Sequence, residues 1–307
     1  MKPTNPQNSS NDSSVLHRQL QEPVSRFGKS VRDFLLYSSA YLAFIAAAEV
    51  LIVTELLSLP LSPAPVVAAL LTFAVYGNDR VADVETDEQT TPARTAFVRR
   101  YHRLLYSLSA LAYGLAVALA VLGGPAAFTL ALVPGLVWVV YALDWLPSLG
   151  HVRRLKQIFI VNSVLVAGAW ALVIVFLPVA FTGAPITPAA GVVFLLLFLA
   201  AFVSVEIPNV RDRAGDREIG VKTLPVVLGI GGTRYFLYGV VGFGVVTAAA
   251  AFTTGILTLA ATVGFVVSLL VLFGISCCLG RTDTGALTVL AECSRLPMLG
   301  LVVVPLL

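Results

Sequence analysis

Apolar stretches fill most of the chain, and its polar positions gather into short breaks between them. Nine stretches approach the roughly 20 residues that a helix needs to cross a hydrocarbon core. They are 34–53, 60–77, 104–122, 125–143, 157–178, 187–207, 235–253, 256–276 and 286–306. Proline and glycine punctuate their ends, as at Pro60, Pro63 and Pro65, at Gly123 and Pro125, at Gly183 and Pro188, and at Gly255. The pattern predicts an all-α fold: a polytopic membrane protein of nine transmembrane helices. Residues 1–32 are polar and rich in Ser, Asn and Pro, which predicts a flexible cytosolic tail and no signal peptide. Residues 33–307 read as one transmembrane domain.

Composition excludes a soluble alternative. Of 307 residues, 58% are hydrophobic and only 12% charged, against about 25% charged in a soluble domain. The sidedness follows from Lys and Arg. All 20 fall in the amino-terminal tail, in the even-numbered connections or, for Arg295, inside the ninth stretch; the odd-numbered connections have none. Positive charge stays cytoplasmic during insertion. The amino terminus and the even connections are therefore expected in the cytoplasm, the carboxyl terminus outside, and the protein in the plasma membrane. The net charge of +3 matters less than this placement, which suits anionic headgroups or an anionic substrate. The basic residues come with no aromatic-rich polar fold that would present them to nucleic acid. Cys277, Cys278 and Cys293 lack metal-ligand spacing and read as packing residues.

Two acidic clusters break the apolar pattern on the same membrane face. The first, "YGNDRVADVETDEQ" (residues 76–89), follows the second stretch; the second, "EIPNVRDRAGDREIGVKTLPVVLG" (residues 206–229), follows the sixth. Asp79, Asp83 and Asp87 recur every fourth residue, as do Asp212 and Asp216. On a helix continuing past the interface, such residues stack on one side about 6 Å apart. Facing arrays of this kind make an oxygen cage suited to Mg²⁺, which takes a few carboxylates and the oxygens of a bound phosphate. Arg80, Arg94, Arg154, Lys156, Arg211 and Lys222 share the face. Cations with Mg²⁺ are the usual means of holding a diphosphate and stabilising it as it leaves; as an alternative, these residues only set topology. Asn162, shortly after Lys156, is either a ligand contact or an interhelical hydrogen-bonding residue. Glu292 and Arg295 read as an internal i, i+3 ion pair, and Glu206 as an acceptor contact or a snorkelling end group.

These residues resemble the UbiA superfamily of intramembrane prenyltransferases. The likeness rests on nine spans, on an aspartate-rich motif after the second and the sixth, and on "RLKQIFIVN" (154–162) opening the fifth. Asp212 and Asp216 followed by "REIGVKTLPVVLG" are similar to the family's second motif. The first motif departs from it: Asp79 stands where the family has Asn, and Arg80 where it has Asp. The resemblance implies Mg²⁺-dependent transfer of an isoprenyl chain from a polyprenyl diphosphate donor to a lipophilic acceptor within the lipid bilayer. That acceptor would be a quinone precursor, a glycerol lipid or a carotenoid. It implies metal ligation by Asp79, Asp83, Asp87, Asp212 and Asp216, with Asp83, Asp212 and Lys156 catalytic. Diphosphate would be held by Arg80, Arg94, Arg154, Lys156 and Lys222, and other substrate groups by Asn78, Tyr141, Asn162, Glu206 and Asn209. Aromatic faces at Tyr76, Tyr101, Tyr141 and Trp145 are candidates for stabilising an allylic cation. A terpenoid cyclase or carotenoid elongase-hydratase on the same scaffold, and a cation-coupled transporter, remain the alternatives.

Overall fold

The apolar runs fold as helices because a chain without water around it must satisfy each N–H and C=O within its own segment. The computed structural model describes residues 30–84, 88, 91–142 and 158–303, and every element among them is a helix. In chain order these are α1 (Ser30–Tyr37), α2 (Ala40–Leu56), α3 (Ala64–Ala82), α4 (Pro92–Ala120) and α5 (Gly124–Ala142). They continue with α6 (Val161–Thr182), α7 (Pro188–Glu218), α8 (Leu224–Thr253), α9 (Leu259–Cys278) and α10 (Thr284–Glu292). After α10 the chain tightens into a 3₁₀ turn at Cys293–Arg295 and a π turn at Leu299–Val303.

Neighbours in sequence are mostly neighbours in space. The helix α3 packs on α2 and α4, α6 lies between α5 and α7, and α8 lies between α7 and α9. Two apolar clusters hold the bundle. One joins α2, α3, α6 and α7 around Val53, Leu71, Val175 and Leu196; the other joins α7, α8 and α9 around Ile207, Leu237 and Leu269. Outside, large apolar side chains such as Phe44 (69% exposed), Val246 (66%) and Leu122 (73%) face outward. So much exposed apolar surface suits lipid rather than water.

The nine-span expectation is met only in part. Among the described residues, five helical stretches are long and apolar enough to cross a membrane. One of these, Pro92–Val139, contains α4 and most of α5, and a sixth appears if α1 and α2, bent by 68°, are taken together. Two physical features explain the shortfall. Asn78, Asp79 and Arg80 occupy the last turns of α3, shortening its apolar length. In the last run, Glu292, Ser294, Arg295 and Pro297 fall close together, and proline removes a helix donor, so α10 stops after nine residues.

Local signals set the remaining ends. Thr187 caps α7 by accepting from the Ala190 N–H at 3.2 Å, with Pro188 at the first helical position. Thr258 caps α9 through the Ala261 N–H in the same way. With 31 residues, α7 is about 46 Å long, well beyond a hydrocarbon core of about 30 Å. Its polar last turns, Arg211 to Glu218, therefore stand clear of that core.

Beside the future site, α5 approaches α4 closely at Gly135. A Cβ there would meet the Tyr113 Oη at 2.2 Å and its Cζ at 2.6 Å, closer than any real contact. Gly135→Ala is expected to lower stability by about 1–3 kcal/mol, as overpacking does. The loss should vanish in a Tyr113→Ala background, as a double-mutant cycle of thermal unfolding in detergent would read.

Candidate active site

The site is built where α3 and α7 outrun their apolar lengths. The helix α3 runs to Ala82 and closes on Asp83, whose N–H bonds the Asp79 carbonyl at 2.9 Å. Asp79 and Asp83 thus sit one turn apart. The stripe on α3 holds these two carboxylates, because the helix closes there; Asp87 lies outside the described residues. On α7, Asp212 is gripped by Arg211 through two 2.8 Å hydrogen bonds, Nε to Oδ1 and Nη2 to Oδ2. Asp79, Asp83 and Asp212 line one cavity of about 610 Å³.

Cations and polar groups ring the same mouth. Arg80, Arg94 and Arg211 line it, as do Asn162 and Asn209. The Arg80 Nε donates to the Ser39 hydroxyl at 3.3 Å, tying α3 to the α1–α2 bend. The Asn162 amide oxygen is buried with no hydrogen-bond partner, which leaves it able to accept from a bound molecule. Outside the cavity lining, the exposed Arg99 grips Glu88 with two 2.7 Å contacts. These hold the exposed Glu88 carboxyl below the usual carboxylate range.

Deeper in the cavity lies polar chemistry that sequence reasoning missed or misassigned. Arg295 does not pair with Glu292. Its Nε donates to Glu49 of α2 at 2.5 Å, and its Nη1 to the Ser204 hydroxyl of α7 at 3.2 Å. The hydroxyl of Tyr41 on α2 donates to Glu292 instead. The reason is geometric: the 3₁₀ turn after α10 takes Arg295 off the helical i, i+3 register and towards α2 and α7. The ring of Tyr76 stacks on Trp170 with centroids 5.7 Å apart and planes 10° from parallel. Trp138 completes an aromatic wall.

The expected site residues divide cleanly. Asp79, Arg80, Asp83, Arg94, Asn162, Asn209 and Asp212 come together around the cavity. Asp216 does not line it; its carboxylate accepts from the Thr223 hydroxyl at 3.3 Å, fixing the turn into α8. Lys222 is exposed and also outside the lining. Asn78 stands behind the wall, its amide oxygen buried without a partner. Glu206 neither snorkels nor reaches the cavity. It is fully buried and accepts from Ser163 on α6 and from the Asn209 amide at 3.1 Å. Tyr101 does not line the cavity; it packs on Phe97 at 4.9 Å, and Phe97 in turn meets Phe34 and the cavity-lining Tyr37. Arg154, Lys156 and Trp145 lie outside the described residues, as does the side chain of Tyr141. The three cysteines are free.

Among the described residues, no group of three or more His, Cys, Asp or Glu stands close enough to hold a metal ion by itself. The donors present are nonetheless the hard oxygens that Mg²⁺ prefers, and Mg²⁺ commonly uses one or two carboxylates together with phosphate oxygens and waters. The cavity fits a metal that arrives with a phosphate group.

Compared with known proteins, residues 35–286 match the model of the UbiA prenyltransferase family. No curated protein matches the chain. Among solved structures, it is similar to the apo form of a UbiA homolog from Aeropyrum pernix K1. The two are 17% identical with a TM-score of 0.68, over 87% of this chain and 98% of that one. It is also similar to a UbiA homolog from Archaeoglobus fulgidus bound to DMAPP and Mg²⁺, at 16% identity and a TM-score of 0.61, over 87% and 99%. A structure of digeranylgeranylglyceryl phosphate synthase in membranes matches at 14% identity and 0.56, over 90% and 96%. At these identities the likeness is one of fold.

Proposed function

Because the chain belongs to the UbiA prenyltransferase family, we propose that it transfers an isoprenyl chain from an allylic polyprenyl diphosphate to a lipophilic acceptor. The single observation that carries this reading is one cavity shared by carboxylates from two distant motifs, Asp79 and Asp83 on α3 and Asp212 on α7, with three arginines beside them. When bound, Mg²⁺ would neutralise charge on the diphosphate; Asp79, Asp83 and Asp212 would hold it, as the A. fulgidus homolog's Mg²⁺ and DMAPP suggest. Lys156 and Asp87 belong to this proposal by motif alone.

The chain's own residues divide the remaining work. Arg80, Arg94 and Arg211 bind the diphosphate and stabilise the charge that develops on it as the allylic C–O bond breaks. Apolar side chains such as Leu42, Ile45, Val166 and Leu197 line the rest of the cavity. They accommodate the isoprenoid and keep water from the allylic cation. The faces of Tyr76, Trp138 and Trp170 offer that cation electron-rich surface. A quinone precursor, a glycerol lipid and a carotenoid all remain acceptors compatible with such a lining.

The same proposal reads the chain as nine crossings, supported by a helix at each of the nine apolar runs. The Lys and Arg distribution supports a cytoplasmic amino terminus and site mouth, and the proposal takes the membrane to be the plasma membrane. Purified protein in nanodiscs with Mg²⁺ is expected to consume at least one of dimethylallyl, geranyl and geranylgeranyl diphosphate and to stop when EDTA removes the metal. Failure to bind or consume any of the three ends the reading.

A further inference from the structure

Prenyl transfer leaves one proton to be placed. The donor's C–O bond breaks with its electron pair going to diphosphate, and an electron pair of the acceptor forms the new bond to the allylic carbon. The acceptor must then lose a proton from its hydroxyl or from the attacking carbon. Five carboxylates line the cavity: Glu49, Asp79, Asp83, Asp212 and Glu292. Under the proposed function, Asp79, Asp83 and Asp212 face metal and diphosphate, which makes them poor proton acceptors. Glu49 is consumed by its 2.5 Å ion pair with Arg295. Glu206 lies outside the cavity, held by Ser163 and Asn209.

Glu292 differs from all of these. It lines the cavity from α10, and its hydrogen bond comes from a neutral hydroxyl, that of Tyr41. The charged groups around it come from several elements: Arg80 on α3, Arg211 on α7 and Arg295 beyond α10. It is carried by α10, whereas the proposed metal donors Asp79 and Asp83 belong to the end of α3 and Asp212 to α7. Tyr41 fixes which way the carboxylate faces, and Thr288, one turn earlier on α10, lines the same wall.

We propose that Glu292, oriented by Tyr41, is the catalytic base that takes the acceptor's proton during transfer. The inference rests on the prenyl-transfer reading above. Protonated Glu292 returns its proton to water when product leaves, so the cycle closes with diphosphate, prenylated acceptor and one proton as products.

The test uses the full chain in nanodiscs with Mg²⁺ and geranylgeranyl diphosphate, and offers a phenol, a glycerol diether alcohol and a polyene as acceptors. Released diphosphate and prenylated acceptor are read separately. Donor affinity is read from tryptophan fluorescence, since Trp138 and Trp170 stand in the cavity wall. Glu292→Gln should lower transfer by about 10²–10⁴-fold, the usual contribution of a positioned base, while donor affinity holds. The share of donor lost to water as free prenyl alcohol should rise. Tyr41→Phe should lower transfer by about tenfold, the worth of one orienting hydrogen bond, again with donor affinity intact. Normal transfer in Glu292→Gln overturns the proposal, as does a parallel loss of donor binding and transfer, which would mark a merely structural tie. If Glu292→Gln does not fold, normal transfer in Tyr41→Phe overturns it instead. Wild-type release of diphosphate with no acceptor prenylated overturns it and leaves the diphosphate site standing; no donor consumption at all overturns both.

Discussion

Asp212→Ala is expected to abolish turnover and leave the helical bundle folded. Asp212 lies on α7 beyond the apolar part of the helix, with its side chain 31% exposed, so its removal opens no core cavity. What it removes is electrostatic. A single preorganised contact to developing charge is worth about 10²–10³-fold in rate. A carboxylate that would also hold a metal contributes more, so the expected loss is at least about 10³-fold. Asp83→Ala should behave alike, because the hydrogen bond by which Asp83 closes α3 comes from its backbone N–H, which alanine retains. Diphosphate release measures the loss, and an unchanged thermal transition in detergent shows that the fold survived. Near wild-type rates in both variants would sink the assignment of this cavity as the active site. Arg211 adds an internal control. It holds Asp212 bidentately, so Arg211→Met should weaken donor binding without removing the carboxylate.

The large features were legible in the sequence because they are one-dimensional. Apolar runs located the helices, and the i, i+4 spacing of Asp79 with Asp83 placed two carboxylates on one side of α3. The presence of both motifs on one face followed from counting the runs between them. The errors came from chemistry that depends on packing. Asp212 and Asp216 share a spacing, yet only Asp212 reaches the cavity, because the turn into α8 brings Thr223 against Asp216. Glu206 reads in the sequence as an acceptor contact or an end group, and it is instead a buried tie between α6 and α7. Tyr41, Trp138 and Trp170 carried no motif. Tyr41 meets a residue 251 positions away, a contact that no local pattern reports. Glu292 and Arg295 were visible as ionisable residues in an apolar run, the right signal for a functional place. Their partners were not visible, since the helix breaks between them.

That break carries the largest stability effect expected here. Arg295 and Glu49 are both buried, their side chains 9% and 10% exposed, and Arg295 also donates to Ser204. The ion pair links α2, α7 and the chain beyond α10, which lacks a long helix of its own to hold it in place. Arg295→Met leaves the Glu49 charge without its partner in an apolar setting. Removing one member of such a pair costs about 3–5 kcal/mol. Glu49→Met should cost a similar amount by stranding the guanidinium. Removing both together takes away the uncompensated charge along with the pair, and matched apolar replacements of buried pairs are often near neutral. Glu49→Met/Arg295→Met should therefore recover most of what either single change loses, and thermal unfolding of the three variants in one detergent measures the coupling. If the losses simply add, the two side chains do not act as a pair, and the last segment of the chain is held by apolar packing alone.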